Sequence, residues 1–228
     1  MRKLIFAFLS IVIIIVMMAI SVGAVANKPV YNSNLNESKK IALTFDDGPH
    51  PRNTPEILKI LDKYGVKATF FVIGVNAKNY PEALSKIVES GHEIGNHTYS
   101  HKILKSRSKE EINKEIIDTE MEISKKSEYV TTLIRPPCGF YDQELISLAN
   151  ENGYKVVLWS IDTHDWAHAS VESIVSTVTN GVQGGDIILF HDYISGENNT
   201  PEALQIIIPR LLKQGYEFVT VSELLQSA

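Results

Sequence analysis

The feature that most constrains the fold of this chain is a repeated alternation of short apolar segments with amphipathic ones. Seven segments have the length and composition of strands, namely Ile41–Phe45, Ala68–Ile73, His92–Gly95, Thr131–Arg135, Val156–Ile161, Asp186–Phe190 and Phe218–Val221. Six segments between them have helical spacing, namely Thr54–Tyr64, Pro81–Ser90, Lys109–Lys126, Asp142–Asn152, Val171–Gly181 and Pro201–Gln214. Strands that alternate with helices pair in parallel and carry the helices outside. The pattern predicts an α/β fold, a distorted (β/α) barrel with about seven parallel strands.

The N-terminal segment has the features of an export signal. Two basic residues precede the apolar run Leu4–Ile20, and small residues follow it up to Ala26. The run would span about 25 Å as a helix, slightly less than a hydrocarbon core of roughly 30 Å, so both cleavage and retention as an anchor are open. We predict a signal peptide or membrane anchor over residues 1–26, a polar linker over 27–38 and a folded domain over 39–228.

Composition excludes some classes of function. The formal net charge of −5 argues against binding nucleic acid through bulk charge. The lone cysteine, Cys138, leaves no intrachain disulfide to stabilise an exported domain. From the predicted export segment, we expect an extracellular protein, secreted or anchored to the outer face of the cytoplasmic membrane, that contacts the membrane only through its N-terminal segment. We also expect a monomer.

Two adjacent carboxylates, Asp46 and Asp47, follow the first predicted strand. In barrels of this kind, chemistry gathers at the carboxyl ends of the strands. Two neighbouring acids are costly unless a positive charge compensates them. A divalent metal would do so, with one carboxylate bound and the other free to act as a base. A solvated Asp-Gly-Pro turn is the structural alternative.

A pair of histidines, His97 and His101, follows the third predicted strand. Their spacing of four residues would place both imidazoles on one face of a helical turn. With one aspartate they would form a three-ligand set that leaves positions open, as in catalytic zinc sites. Two unrelated polar histidines are the alternative.

Three further strand ends carry polar or aromatic groups. Two prolines follow Arg135 and project it from a strand end, where it could orient a carboxylate. Trp166 could stack on a sugar ring, and His191 suits proton transfer near neutral pH. A surface arginine, a core tryptophan and a structural histidine are the respective alternatives. Because five of the seven strand ends carry such groups, the sequence favours one hydrolytic site.

These segments resemble the five motifs of NodB-type polysaccharide deacetylases, carbohydrate esterase family 4, in order and approximate spacing. The segments are TFDDGP (44–49), HTYSH (97–101), RPPCG (135–139), DTHDW (162–166) and LFH (189–191). The resemblance covers roughly residues 39–224 and makes residues 39–228 a catalytic domain. It implies a distorted (β/α) barrel and metal-dependent removal of acetyl groups from N-acetylglucosamine-type units of peptidoglycan or chitin-like glycans. The implied metal is zinc, with cobalt or nickel as alternatives.

The resemblance also implies a role for each matched residue. Asp46 resembles the catalytic base and Arg135 the residue that positions it. Asp47, His97 and His101 resemble the metal ligands. His191 resembles the catalytic acid with Asp165 as its partner, and Trp166 and Leu189 resemble walls of the acetyl pocket.

One position departs from the family pattern. Cys138 stands where the family usually has an aromatic residue whose backbone N–H contacts the oxyanion. Cysteine keeps the N–H and loses the ring, which puts the glycan preference in question. Three alternatives stay open at this point: an acetylxylan esterase or other amide hydrolase with the same site, a non-catalytic glycan-binding module, and a membrane-tethered structural component.

Overall fold

The computed structural model describes residues 30–34, 39–127 and 129–226. The predicted export segment, residues 1–26, lies outside the described residues. Within the described part of the chain, no helix is long and apolar enough to cross a membrane.

Within the described ranges, nine strands form one curled sheet in which every pair of named strands is parallel. The strands are β1 (Val30–Tyr31), β2 (Lys40–Asp46), β3 (Thr69–Val72), β4 (Glu93–Asn96), β5 (Leu133–Ile134), β6 (Lys155–Val157), β7 (Ile161–Asp162), β8 (Ile187–His191) and β9 (Glu217–Phe218). Their order is β1-β6-β5-β4-β3-β2-β8-β7, and β9 pairs with the start of β2. The predicted distorted barrel of parallel strands is confirmed.

Eight α-helices accompany the strands in the described part of the chain. They are α1 (Asn53–Tyr64), α2 (Gly74–Asn79), α3 (Pro81–Glu89), α4 (Lys109–Ser127), α5 (Gln143–Glu151), α6 (Val171–Gly181), α7 (Thr200–Lys213) and α8 (Val221–Gln226). Six of them match the predicted amphipathic segments. Their ends follow ordinary capping chemistry: the Asp142 side chain accepts a hydrogen bond from the Leu145 N–H at the start of α5, and Gly65 ends α1 in a left-handed conformation with φ 64°.

The last predicted strand is shorter than expected. Only Glu217–Phe218 pairs with β2, whereas Val221 begins α8. The cause is a capping box, because the Thr220 N–H donates to Glu223 Oε2 at 2.8 Å and the Glu223 N–H donates to Thr220 Oγ1 at 3.3 Å. This local signal ends the strand before Val221, although its side chain is apolar.

The alternation of residues in β2 decides which side chains reach the barrel interior. Ile41, Leu43 and Phe45 belong to the apolar cluster that includes the helices α1, α6 and α7. Ala42 belongs to a second cluster, formed with residues of β3, β5, β6 and β8. Because side chains alternate along a strand, Thr44 and Asp46 share the interior face with Ala42.

The predicted strand Val156–Ile161 is in fact two strands in opposite halves of the sheet. β6 pairs with β5 and β1, whereas β7 pairs with β8. Between them, the Leu158 carbonyl accepts a hydrogen bond from Arg135 Nη2 at 2.8 Å, and the Trp159 ring lies 5.6 Å from that guanidinium. The buried arginine thus takes up backbone groups that a neighbouring strand would otherwise pair, and the barrel stays open here.

Part of the predicted polar linker belongs to the folded domain. Val30 and Tyr31 form β1 and pair in parallel with Val156 and Val157. The Asn34 side-chain amide donates to the Leu224 carbonyl at 2.6 Å. These contacts tie the segment before β2 to both β6 and α8.

Candidate active site

The ends of the central strands bring the first carboxylate, Asp46, into a buried pair with Arg135. Asp46 ends β2, and it lies opposite His191 of β8 in the sheet register. Arg135 Nη1 donates to Asp46 Oδ1 at 2.7 Å and to Thr44 Oγ1 at 2.8 Å. Arg135 is fully buried and lies 4.0 Å from the centre of the Phe71 ring. One oxygen of Asp46 is therefore held by a charge-assisted hydrogen bond.

The second carboxylate, Asp47, faces the two histidines. Its backbone is left-handed, with φ 72°. Asp47 Oδ1 lies 3.4 Å from His97 Nε2 and 3.2 Å from His101 Nε2, and one ligand atom from each of the three residues lies within 4.8 Å of the others. The three side chains predicted as ligands are thus brought together.

The surroundings of these side chains fit a divalent metal. Asp47 Oδ1 is buried and has no hydrogen-bond partner among the residues that the structure describes. His97 Nδ1 lies 2.8 Å from the Arg135 carbonyl oxygen, to which it can donate its proton, so Nε2 keeps a lone pair for a ligand. Metal-binding histidines commonly donate their second ring N–H in this way. Two imidazoles and one carboxylate are also a donor set that catalytic zinc sites use.

The predicted helical turn around the histidines is wrong. No helix covers residues 97–101, and Thr98 and His101 have left-handed backbones with φ 67° and 56°. The Gly74 N–H donates to the Thr98 carbonyl at 3.0 Å and the Val75 N–H to the Tyr99 carbonyl at 2.9 Å. Because the start of α2 takes these carbonyls, the loop forms no helix of its own, and its irregular path brings the two rings to a centroid distance of 5.0 Å.

The charges of this cluster act on one another. Burial raises the pKa of Asp47, but the neighbouring histidines His97, His101 and His191 outweigh burial and bring this pKa below its ordinary value. Burial lowers the pKa of His97, but the charges of Asp46 and Asp47 outweigh it and raise this pKa above its ordinary value. Asp47 and His97 therefore each favour the charged form of the other.

On the other side of the cleft, Asp165 holds His191. His191 Nδ1 lies 2.8 Å from Asp165 Oδ1, and the His191 N–H donates to Asp165 Oδ2 at 2.7 Å. Thr200 Oγ1 donates to the same Oδ2 at 2.7 Å. Burial lowers the pKa of His191, but the hydrogen bond and charge of Asp165 outweigh it and raise the pKa to about 9. His191 therefore holds a proton at neutral pH.

These groups line one cavity of about 330 Å³ at the carboxyl ends of the strands. Its walls include all the predicted site residues except Arg135 and Asp165, which lie behind Asp46 and His191. Trp166 is 52% exposed, so it is not a core residue. Two wall residues were not predicted, Trp159 and Asp162.

Cys138 also lines the cavity, from a short 3-10 turn over Pro137–Gly139. Its backbone is left-handed, with φ 56°, and its side chain is exposed. Burial on one side, together with the charge of Asp47, raises the pKa of the thiol. The thiol therefore remains protonated at neutral pH.

A further carboxyl group, Asp192, lies beneath the site and was not predicted. It is fully buried, it accepts a hydrogen bond from Thr54 Oγ1, and its Oδ1 has no partner. A Cβ at Gly48 would lie 2.2 Å from its oxygens, so the loop after Asp47 requires glycine there. Burial raises the pKa of Asp192 to about 7. The sequence signal that could have identified Asp192 is its position directly after His191.

Comparisons with known proteins agree with this geometry. Residues 33–157 match the polysaccharide deacetylase family model. A peptidoglycan-N-acetylglucosamine deacetylase of Bacillus cereus is 44% identical over 193 residues, which cover 84% of this chain and 90% of that protein.

Two solved structures are similar in fold and sequence. The crystal structure of the Bc1960 peptidoglycan N-acetylglucosamine deacetylase has a TM-score of 0.84 and 37% identity, covering 88% of this chain and 94% of that one. A family 4 acetyl xylan esterase from Clostridium thermocellum, in complex with a cobalt ion, has a TM-score of 0.76 and 40% identity, covering 82% and 91%. The family match, the identities and the coverage together establish that this chain belongs to the polysaccharide deacetylase family.

Proposed function

We propose that this protein is a metal-dependent hydrolase that removes N-acetyl groups from N-acetylglucosamine-type units of peptidoglycan or chitin-like glycans. The observation that carries the proposal is that two adjacent acids contact different partners. Asp46 is bound by the buried Arg135, whereas Asp47 faces His97 and His101 with an unpartnered oxygen. The names of the similar proteins supply the substrate class.

Asp47, His97 and His101 would hold the metal, and we propose zinc, with cobalt or nickel as alternatives. The cobalt ion in the related esterase structure supports a divalent metal. When bound, such an ion polarises a carbonyl oxygen and can lower the pKa of a bound water toward about 7.

Asp46 would act as the general base. Arg135 binds its Oδ1 at 2.7 Å, which fixes the carboxylate and leaves Oδ2 to accept the proton of the attacking water. Positioned proton transfer of this kind contributes typically about 10²- to 10⁴-fold to the rate. Thr44, bound to the same guanidinium nitrogen at 2.8 Å, helps to keep Arg135 in place.

His191 would act as the general acid. An amine is a poor leaving group unless it is protonated, so the sugar nitrogen needs a proton as the C–N bond breaks. His191 carries that proton at neutral pH because Asp165 raises its pKa. Asp165 accepts a hydrogen bond from the His191 backbone N–H with one oxygen and contacts Nδ1 of the ring with the other, and these two contacts fix the orientation of the ring.

The remaining cavity residues would bind the acetyl group and the sugar. Leu189 and Trp166 supply apolar surface, one buried and one exposed at the mouth. From the family resemblance, the Cys138 N–H would donate to the oxyanion, and one such donor contributes about 2.7–4 kcal/mol in other enzymes. No serine nucleophile is needed.

We also propose that the protein acts outside the cytoplasmic membrane as a monomer, secreted or anchored by its N-terminal segment. The apolar run Leu4–Ile20 supports export. The peptidoglycan substrate named for the relative from Bacillus cereus supports the same location.

Product analysis tests the proposed function. The purified protein would be incubated with zinc and either peptidoglycan or chitin oligomers, and the products would be examined by mass spectrometry. We expect loss of 42 Da per acetyl group, the mass of C₂H₂O, with release of acetate, and no loss after metal removal by a chelator. Intact glycans with fully metal-loaded protein would contradict a deacetylase and favour a glycan-binding module.

A second candidate function is ester hydrolysis on acetylated xylan. The similarity to an acetyl xylan esterase favours it, at 40% identity. Acetylated xylan assayed in parallel under the same conditions would decide between the two. If kcat/KM were larger on acetylated xylan than on every N-acetylated glycan, the ester rather than the amide would be assigned as the substrate.

A further inference from the structure

A buried carboxylate outside the five motif segments, Glu115 of α4, binds the loop that carries the two histidines. The Ser100 N–H donates to Glu115 Oε2 at 2.8 Å, and Ser100 Oγ donates to Glu115 Oε1 at 2.7 Å. Both oxygens of one carboxylate therefore hold one residue, and Glu115 is only 9% exposed. Ser100 directly precedes His101 in the chain.

His101 depends on its backbone for its position more than His97 does. His97 is 2% exposed and its Nδ1 is fixed by the Arg135 carbonyl. The His101 side chain is 35% exposed, and within the described part of the chain its ring faces Asp47 without a second anchor comparable to the one on His97. Its backbone is left-handed, a conformation that costs a non-glycine residue about 1 kcal/mol or more unless neighbouring contacts hold it.

The helix behind Ser100 is a firm support for this contact. Ile112 and Ile116, which flank Glu115 on α4, are 0% and 1% exposed. Thr119 Oγ1 donates to the Glu115 carbonyl at 2.8 Å. Lys102 Nζ lies 3.9 Å from Glu115 Oε1, but it is half exposed, so this ion pair adds little.

We propose that Glu115 is a positioning residue for the metal site, fixing His101 through its two hydrogen bonds to Ser100. The inference rests on the proposed function in that it takes Asp47, His97 and His101 as the metal ligands. Residues that orient metal ligands commonly contribute about 10- to 100-fold to metal affinity.

The test measures zinc binding to metal-free protein by titration calorimetry, without any activity assay. Glu115→Ala removes both acceptors, and we expect it to weaken zinc binding about 10-fold or more. Glu115→Gln keeps an acceptor for the Ser100 N–H and a donor for Ser100 Oγ, so we expect binding within about threefold of wild type. Thermal unfolding of each metal-free variant would show that it is folded.

Two further variants complete the set. Glu122→Ala is the matched control, because Glu122 lies on the same helix and its ion pair among the described residues is with Lys125, at 3.1 Å. We expect it to bind zinc like wild type. Ser100→Ala removes one of the two hydrogen bonds and leaves the helix intact, and we expect a loss of about threefold. It keeps the inference testable if Glu115→Ala does not fold.

The outcomes separate this inference from the proposed function. A wild-type protein that binds no zinc would overturn the metal site itself. Normal wild-type binding, with folded Glu115→Ala or Ser100→Ala as tight as wild type, would overturn only the role of Glu115. If Glu115→Gln lost as much affinity as Glu115→Ala, the charge of Glu115 rather than its geometry would be responsible, which would also overturn the inference.

Discussion

The two sides of the cleft differ in how complete their interactions are. On one side, the proton-transfer groups are paired within the protein: Arg135 holds Asp46 and Asp165 holds His191, at 2.7 and 2.8 Å. On the other side, Asp47 Oδ1 is buried and has no hydrogen-bond partner among the described residues, and His101 is partly exposed. The groups that we propose as acid and base are thus already paired within the protein, whereas the proposed ligand side would be completed by an ion.

The largest effect should come from the base. In Asp46→Asn the amide cannot take a proton, so we expect deacetylation to fall by about 10⁴-fold. Zinc binding should persist, since the unpaired side of the cleft is untouched. Acetate release and calorimetry on the same sample check both statements. Loss of zinc in this variant, or activity near wild type, would contradict the separation of Asp46 from Asp47.

The next effect should come from the acid. We expect His191→Ala to lower kcat on an N-acetylated glycan by about 10²- to 10³-fold. The loss on an O-acetyl ester should be smaller, because an alkoxide needs a proton from the enzyme less than an amine does. Rates of acetate release from both substrates give the comparison. Equal losses on the two would argue that His191 does not protonate the leaving group.

Removal of the metal proposed to bind Asp47, His97 and His101 should lower the free energy of unfolding. Zinc at 100 times its dissociation constant should add about 2.7 kcal/mol to the free energy of unfolding. In His101→Ala most of this increment should disappear, whereas in His191→Ala it should remain. Thermal unfolding with zinc and with a chelator measures it. An equal increment in both variants would place the metal elsewhere.

The pH dependence probes the paired side. Because Asp165 raises the pKa of His191 from 6.5 to about 9, His191 keeps its proton through neutral pH. The pairing of protonated His191 with Asp165 therefore stabilises the folded protein fully below about pH 6.5, and this contribution to the free energy of unfolding is lost as the pH rises through about 9. We expect kcat to decline above about pH 9, and in Asp165→Asn the decline should move toward pH 6.5. NMR titration of the His191 ring in both proteins measures the pKa directly.

The smallest effect should come from the outer hydrogen bond of the same pair. Thr200→Val removes the hydroxyl that donates to Asp165 Oδ2 at 2.7 Å. One such bond to a charged group contributes about 1.5–3 kcal/mol at most, so we expect unfolding to become easier by about 1–2 kcal/mol. Zinc affinity should not change. Denaturant unfolding and calorimetry would show whether the two sides are independent.

The sequence predicted which side chains meet at the strand ends better than it predicted the paths between the strands. Asp46, Asp47 and His191 were predictable because each stands at the carboxyl end of an apolar strand or directly after it, and parallel strands bring such positions to one edge. The turn carrying His101 was not predictable from spacing, since hydrogen bonds from Gly74 and Val75 shape it. These partners are distant in sequence, and periodicity carries no information about them.

Two other features of the structure were not predictable for the same reason, namely that the partners that cause them are distant in sequence. The run Val156–Ile161 is apolar except for Ser160, and its composition does not mark Leu158 as the point where Arg135 divides it into β6 and β7. Glu115 lies on an amphipathic helix in which a glutamate is ordinary. Only the approach of Ser100 makes it distinct.

The left-handed backbone of Asp47 has a consequence for moving this chemistry to other scaffolds. A regular strand would send two neighbouring acids to opposite faces, yet here both serve the same cavity. The two side chains are chemically identical, but they enter the cavity from different directions and contact different partners. If the two aspartates were placed in another scaffold without the left-handed backbone at the second one, one carboxylate would face the cavity and the other would face the outside of the barrel.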